Sequence, residues 1–301
     1  MSDPKLSKPL FGVFWMVLTG LLFVLVTAIV KYLGTSIPAV QAAFLRYALG
    51  LVLLLPMLPR VRRTIFCSTI WKLALARGVF HSVGVALWFY AMARIPIADV
   101  TAMNYLAPVY VTLGAALFLG ESLAFRRILA ILAALIGALI ILRPGFREVG
   151  SGHYAMLIAA VVFAASYILA KRLSDLVAPA VIVVMLSIFV PIGLAPLAFL
   201  VWVPPTNSDI ALLFIVAIIA TLGHYTMSLA FKAAPVAMTQ PVTFLQLIWA
   251  VLLGAFVFYE PFDVWVICGG LVIIFAISFI SWREAYLKRQ LLTPPAPATK
   301  L

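Results

Sequence analysis

Charge is scarce in this chain. Charged residues make up 10% of 301, against ~25% in an ordinary soluble domain. Acids are scarcer still, nine in all, and none lies at the centre of an apolar run. There are two cysteines, Cys67 and Cys268, which exclude a disulfide framework or a cysteine-built zinc site. Three histidines and nine scattered acids offer no dense metal centre, so no metal or cofactor is expected. Asp99, Glu121, Asp263 and the histidines share no motif spacing, which argues against a membrane enzyme. A filter motif repeated symmetrically is missing too, which argues against a channel.

Apolar side chains fill the space left by charge. The set AVILMFWYC is 66% of the chain, and mean hydropathy is +1.21. A soluble fold of this size needs more polar surface than that, so the outside solvent is a bilayer. Crossing the hydrocarbon core takes ~20 apolar residues in a helix. Ten candidates fit: Leu10–Leu33, Pro38–Leu58, Leu73–Ala93, Ile97–Phe118, Ala124–Leu142, Ser151–Lys171, Ala178–Val201, Ile210–Phe231, Pro235–Phe258 and Phe262–Trp282. The runs are continuous rather than alternating, which excludes barrel strands. The first exceeds a signal-peptide core and is expected to be a retained helix.

The net charge of +12 is a membrane signal, not a nucleic-acid one, because the cations sit in short loops. With both termini on one side, that side carries fifteen Lys and Arg and the other carries Lys31, Arg94, Arg143 and Arg147. The imbalance predicts a multi-pass protein of the cell (inner) membrane with both termini cytoplasmic. Arg46 and Arg77 fall inside spans; Arg77, near a span end, is expected to snorkel to the interface. Residues 1–9 form a cytoplasmic N-terminus and 283–301 a cytoplasmic tail.

The chain repeats itself. A shift of 139 places Ala91, Pro96, Ala98, Leu106 and Glu121 on Ala230, Pro235, Ala237, Leu245 and Glu260. A shift of 140 places Gly12 on Gly152 and Lys31 on Lys171. Residues 10–142 thus form one five-helix repeat and 151–282 a second. Five is odd, so the copies are inverted, a frequent plan of secondary transporters. The fold class is an all-α membrane protein of ten helices in two inverted repeats.

These residues carry a resemblance. Each half has a turn of the form Ala-x-x-x-x-Pro-x-Ala, a helix, and a closing Glu, and the second span holds Phe44-Leu45-Arg46-Tyr47. The pattern resembles the drug/metabolite transporter superfamily in its EamA-type, ten-helix bacterial form, over about residues 10 to 282. Leu186 stands opposite Arg46 in the second half, so that arginine is not repeated. The resemblance implies a cytoplasmic-membrane transporter, usually an exporter of amino acids or related metabolites, with a central cavity between halves; the aromatic-amino-acid exporter branch is within its range. Glu121 and Glu260 are expected as capping or loop-pairing acids.

Polar groups at membrane depth are costly and tend to face a cavity or another helix. In the third span these are His81 and Ser82, with Trp88 on the same face as His81. The fourth carries Thr101, Asn104 and Tyr105, the sixth Ser166 and Tyr167, the eighth His224, Tyr225 and Ser228, the ninth Thr243 and Gln246 with Trp249 one turn on. Arg46 joins them from the second span, as either a structural residue or a partner for a substrate carboxylate. A pocket of these groups suits a zwitterion with an apolar side chain or a small aromatic metabolite. The expected mechanism is alternating access, with Pro108, Gly114, Pro191, Gly193, Pro196 and Pro241 as hinges. With no acid at depth, gradient-driven facilitated export is favoured; a proton-coupled exporter of drugs or other metabolites, titrating His81 or His224, is the alternative. Expected partners are a small-molecule substrate and membrane lipid; no nucleic acid is expected, and a monomer suffices.

Overall fold

The computed structural model describes residues 9–55, 68–119, 125–146, 148–174, 176–177, 179–233 and 245–292. The described residues form helices and turns: α1 Pro9–Leu33, α2 Ala39–Leu54, α3 Ser68–Met92, α4 Ile97–Asn104, α5 Leu106–Leu119, α6 Phe125–Leu142, α7 Ser151–Ser174, α8 Pro179–Leu200, α9 Asn207–Ala233, α10 Leu245–Phe258 and α11 Val264–Leu292. Leu10–Leu33, Ser68–Met92, Ser151–Ala170, Val181–Leu200 and Asn207–Met227 are each long and apolar enough to cross a bilayer. Ala39–Leu54, Ile128–Leu142, Leu245–Phe258 and Val264–Phe279 are shorter apolar helices. Large apolar side chains such as Leu200, Phe256 and Phe275 are exposed, as lipid contact requires.

Helix starts follow from local chemistry. Pro38 and Pro96 precede α2 and α4 in extended backbone, where the missing N–H costs nothing. Thr206 and Asp209 form a capping box before α9: the Thr206 N–H donates to Asp209 Oδ2 at 2.9 Å and the Asp209 N–H donates to Thr206 Oγ1 at 3.1 Å. Gly34 ends α1 with a φ of 64°, the left-handed geometry that favours glycine at a helix C-terminus.

The fourth span departs from expectation. It is not one helix over Ile97–Phe118 but two, α4 and α5, meeting at Tyr105. The Tyr105 N–H turns back to Ala102 at 3.3 Å. Pro108, four residues after Asn104, has no N–H to continue the ladder. The corresponding region of the ninth span is described only from Leu245; Thr239, Pro241 and Thr243 lie outside the described residues.

Packing obeys an exchange of halves. The α3–α7 and α1–α9 contacts are the most extensive pairs and are equivalents under that exchange. The α6–α11 and α2–α8 contacts each map onto themselves, and α3–α8 maps onto α2–α9. At the α6–α11 crossing, a Cβ on Gly137 would stand 2.7 Å from the Gly269 carbonyl oxygen, and one on Gly269 would stand 2.5 Å from that of Gly137. Small residues at such crossings let backbones approach where no hydrophobic effect drives association.

The turns after α1, α3, α6, α8 and α10 gather at one end of the bundle, here the distal face. They are tied to each other across the halves. Gln41 Nε2 donates to the Val203 carbonyl at 2.6 Å and Gln41 Oε1 accepts from the Val203 N–H at 2.9 Å. The Ser36 hydroxyl donates to Asp209 at 3.3 Å. The Tyr90 and Ser151 hydroxyls lie 3.0 Å apart.

Candidate functional site

Two aromatic–glycine contacts frame the centre, one per half. Phe163 of α7 covers Gly84 of α3, and Phe23 of α1 covers Gly223 of α9. Phe23 and Phe163 are equivalents at the 140-residue shift, Gly84 and Gly223 at 139. A histidine sits against each phenylalanine. The His81 ring centroid is 5.1 Å from that of Phe163, and the His224 centroid is 5.1 Å from that of Phe23. The repeat pairs the phenylalanines and the glycines but not the histidines, since the 139-residue shift places Ala220 opposite His81.

The remaining polar groups break that symmetry. His81 Nε2 is 3.1 Å from the Tyr47 hydroxyl and its Nδ1 is 3.3 Å from the Ser166 hydroxyl. Tyr167 stacks on Phe163 with centroids 6.2 Å apart. Arg46 lies over the Tyr47 ring, 4.0 Å from its centroid. Arg46 and Arg77 are each within electrostatic range of His81 and of His224. His224 is exposed, with Phe23 of α1 edge-on to its ring.

The other expected residues divide. Gln246 of α10 is half-buried beside Gly20, whose Cβ would lie 3.7 Å from the Gln246 Cβ. Trp249, one turn on, is half-buried with its indole N–H buried and without a partner among the described residues. Trp88 and Asn104 are half-buried, while Tyr225 is 61% exposed. Ser82 is not a cavity residue: buried, it donates to the Gly78 and Val190 carbonyls at 2.7 and 3.1 Å. It fills the α3–α8 crossing, where a Cβ on Gly193 would strike its hydroxyl at 2.6 Å, which makes Gly193 a packing glycine. Thr101 is buried with its hydroxyl returned to the Ile97 carbonyl at 2.9 Å, and Tyr105 lies in the core. Ser228 is on α9 and Thr243 outside the described residues, as is the Ser228 side chain. Arg77 does not snorkel. It is buried and donates to the Ile182 carbonyl of α8 at 3.1 Å, because its face of α3 packs on a helix rather than pointing at the interface.

Spacing in the sequence could not show the distal ion pairs. Lys31 Nζ is 2.6 Å from Glu260 Oε1 and donates to the Ile95 carbonyl at 2.8 Å. Glu260 Oε2 accepts from the Ile97 N–H at 3.0 Å, so the expected capping acid serves α4, in the other half, where a negative charge at a helix N-terminus is favourable. Arg143 pairs with Asp263, and Asp263 Oδ1 caps the Trp265 N–H at 2.9 Å. Buried His153 is 2.9 Å from buried Asp99. Each pair joins the first half to the second. Below them, Pro96, Asp99, Val251, Glu260 and Asp263 line a cavity of about 90 Å³. Among the described residues, no group of three or more His, Cys, Asp or Glu could hold a metal.

Comparison with known proteins agrees with this architecture. The model of the EamA-like transporter family matches twice, over residues 10–143 and 150–282. The chain is 32% identical to the riboflavin transporter of Rhizobium johnstonii, over 94% of this chain and 95% of that one. It is 24% identical to the S-adenosylmethionine uptake transporter of Rickettsia prowazekii, over 94% and 96%. It is 27% identical to the pseudopaline exporter of Pseudomonas aeruginosa, over 90% and 95%. A solved crystal structure superposes with a TM-score of 0.58 at 16% identity, covering 92% of this chain and 97% of that one, which is a likeness of fold. With a doubled match along its length and packing that survives exchange of its halves, this multi-pass membrane protein belongs to the EamA-like transporter family.

Proposed function

We propose that the protein is a secondary transporter that carries a planar heteroaromatic metabolite of the flavin class through the space between its halves. The observation that carries this is the mid-bundle cluster: two Phe–His pairs, the Tyr47 and Tyr167 rings, and an exposed His224. Aromatic walls with a few convergent polar groups suit a flat, hydrogen-bonding solute. The riboflavin transporter named above is the most identical of the three relatives, and it supports the ring assignment. Aromatic amino acids, the cargo expected from the sequence, share the planar ring and belong in the same test.

The mechanism we infer is alternating access, the two halves rocking about the central cluster. No carboxylate lies in the interior of a described span, which favours facilitated movement down the solute gradient over proton exchange. Export follows when the solute is made inside the cell. Lys/Arg counting supports an inner-membrane placement with both termini cytoplasmic, so the distal face looks outward.

Flux of labelled riboflavin and labelled tryptophan into proteoliposomes tests the proposal. Saturable riboflavin uptake that unlabelled flavin competes away is the expected result. Riboflavin flux at the empty-liposome level would overturn the flavin assignment, and saturable tryptophan flux in its place would restore the amino-acid one.

A further inference from the structure

Among the buried and half-buried cations of the described residues, Arg46 is the one whose surroundings the scaffold does not explain. Arg77 has the Ile182 carbonyl, Lys31 has Glu260 and the Ile95 carbonyl, Arg94 has the Tyr90 carbonyl, and Arg143 has Asp263. Arg46 rests on the Tyr47 ring alone, with no hydrogen-bond acceptor among the described residues. It is half-buried, so its guanidinium is neither packed away nor released to bulk water. The repeat does not require it, since Leu186 occupies the equivalent place.

The charge balance around it is one-sided. Arg46 and Arg77 lie within electrostatic range of His81 and His224. The acids of the described residues are elsewhere. Asp99, Asp209, Glu260 and Asp263 are engaged at the distal face, Glu148 lies in the turn between halves, and Glu284 follows Trp282. A guanidinium presents a fork of donors matched to a carboxylate or phosphate, and charge-assisted bonds of that kind are the strong ones.

Resting on the transporter assignment above, we infer that the central space takes an anion: Arg46 holds a carboxylate or phosphate oxygen of the solute while the aromatic walls hold its ring. Uncompensated positive charge at membrane depth is costly, and a bound anion removes that cost, so occupied and empty states differ in the very term that a carrier's rocking depends on.

Two probe pairs isolate the charge: riboflavin against riboflavin 5′-phosphate, and indole-3-propanol against indole-3-propionate. Affinities are read on the purified full-length protein by isothermal titration calorimetry. The expected result is that the anionic member of a pair binds about tenfold more tightly, that Arg46→Gln removes this preference, and that Arg46→Lys keeps most of it. Charge preference confined to the indole pair removes the flavin assignment and leaves the anion site standing. Equal binding within both pairs, or a preference for the neutral members, overturns the inference and leaves the ring assignment. No binding by any of the four overturns both. Phenylglyoxal labelling of Arg46, read by mass spectrometry on the wild-type protein, needs no variant. Protection by the anionic probe and not by its neutral partner is expected, and equal labelling with and without the anion overturns the inference.

Discussion

The Glu260 carboxylate serves two partners at once, the Lys31 ammonium and the Ile97 N–H. Gly254 leaves it room: a Cβ there would run into the carboxylate. Removing one partner of a largely buried pair costs more than the pair contributes, because the other charge stays behind. Glu260→Ala is therefore expected to destabilise the purified protein by about 3 kcal/mol, lowering its melting temperature in detergent. Glu260→Gln keeps an acceptor for Ile97 and is expected to lose less. Equal losses would show that the ion pair and not the cap dominates. At this scale the sequence was informative where depth alone made a residue conspicuous. His81, His224 and Arg46 stand out as polar groups in apolar runs, and the structure places them within electrostatic range of one another, whereas Gln246 lies beside Gly20. Phe23, Tyr47 and Phe163 did not stand out, because aromatic residues are ordinary in such helices. The Asp99–His153 pair spans 54 residues with no motif linking them, so only the assembled turns reveal it.

Among elements, the α4–α5 break and the α6–α11 crossing make opposite demands on the backbone. Pro108 follows the break inside the fourth span. Pro108→Ala returns an N–H to the helix ladder and is expected to straighten the span, slowing transport severalfold while leaving solute affinity within about twofold. Comparing flux in proteoliposomes with equilibrium binding checks this, and a loss confined to affinity would count against a hinge. At the crossing, Gly137 and Gly269 each touch the other's carbonyl. Gly137→Val has no room, and overpacking of this kind costs about 1–3 kcal/mol; thermal unfolding reads the loss. The helical, membrane-spanning character was legible from hydropathy and length, though not the break inside the fourth span. The packing of the spans was not, because a helix that is apolar all round gives no periodic stripe to say which face meets which neighbour. Arg77 illustrates the gap: its distance from a span end suggested an interface, whereas its face of α3 is covered by α8.

Over the whole molecule, the contacts between turns among the described residues share one end and join the two halves. Lys31–Glu260, Arg143–Asp263, His153–Asp99, Gln41–Val203 and Ser36–Asp209 together close the distal face. If the halves rock, these contacts must part in every cycle. Cysteines at positions 36 and 209, where the Ser36 hydroxyl and the Asp209 carboxylate lie 3.3 Å apart, are expected to oxidise to a disulfide and to stop flux, with recovery on reduction. Undiminished flux in the fully cross-linked protein would rule out separation of the halves at this end. The doubled architecture was legible from the aligned prolines and glutamates. What the alignment could not supply was the asymmetry, since Arg46, Tyr47 and Arg77 have Leu186, Ser187 and Val216 as counterparts and no repeat logic predicts what one half alone contributes.

The closed distal face has a pharmacological consequence. With the proposed orientation, a compound added to the medium meets a lid of paired charges and capped turns, and the aromatic chamber beneath it is out of reach. A blocker aimed at that chamber must first enter the cell and approach from the side of the chain ends. Potency in whole cells would then follow membrane permeability, whereas potency in inside-out vesicles would follow fit to the chamber alone.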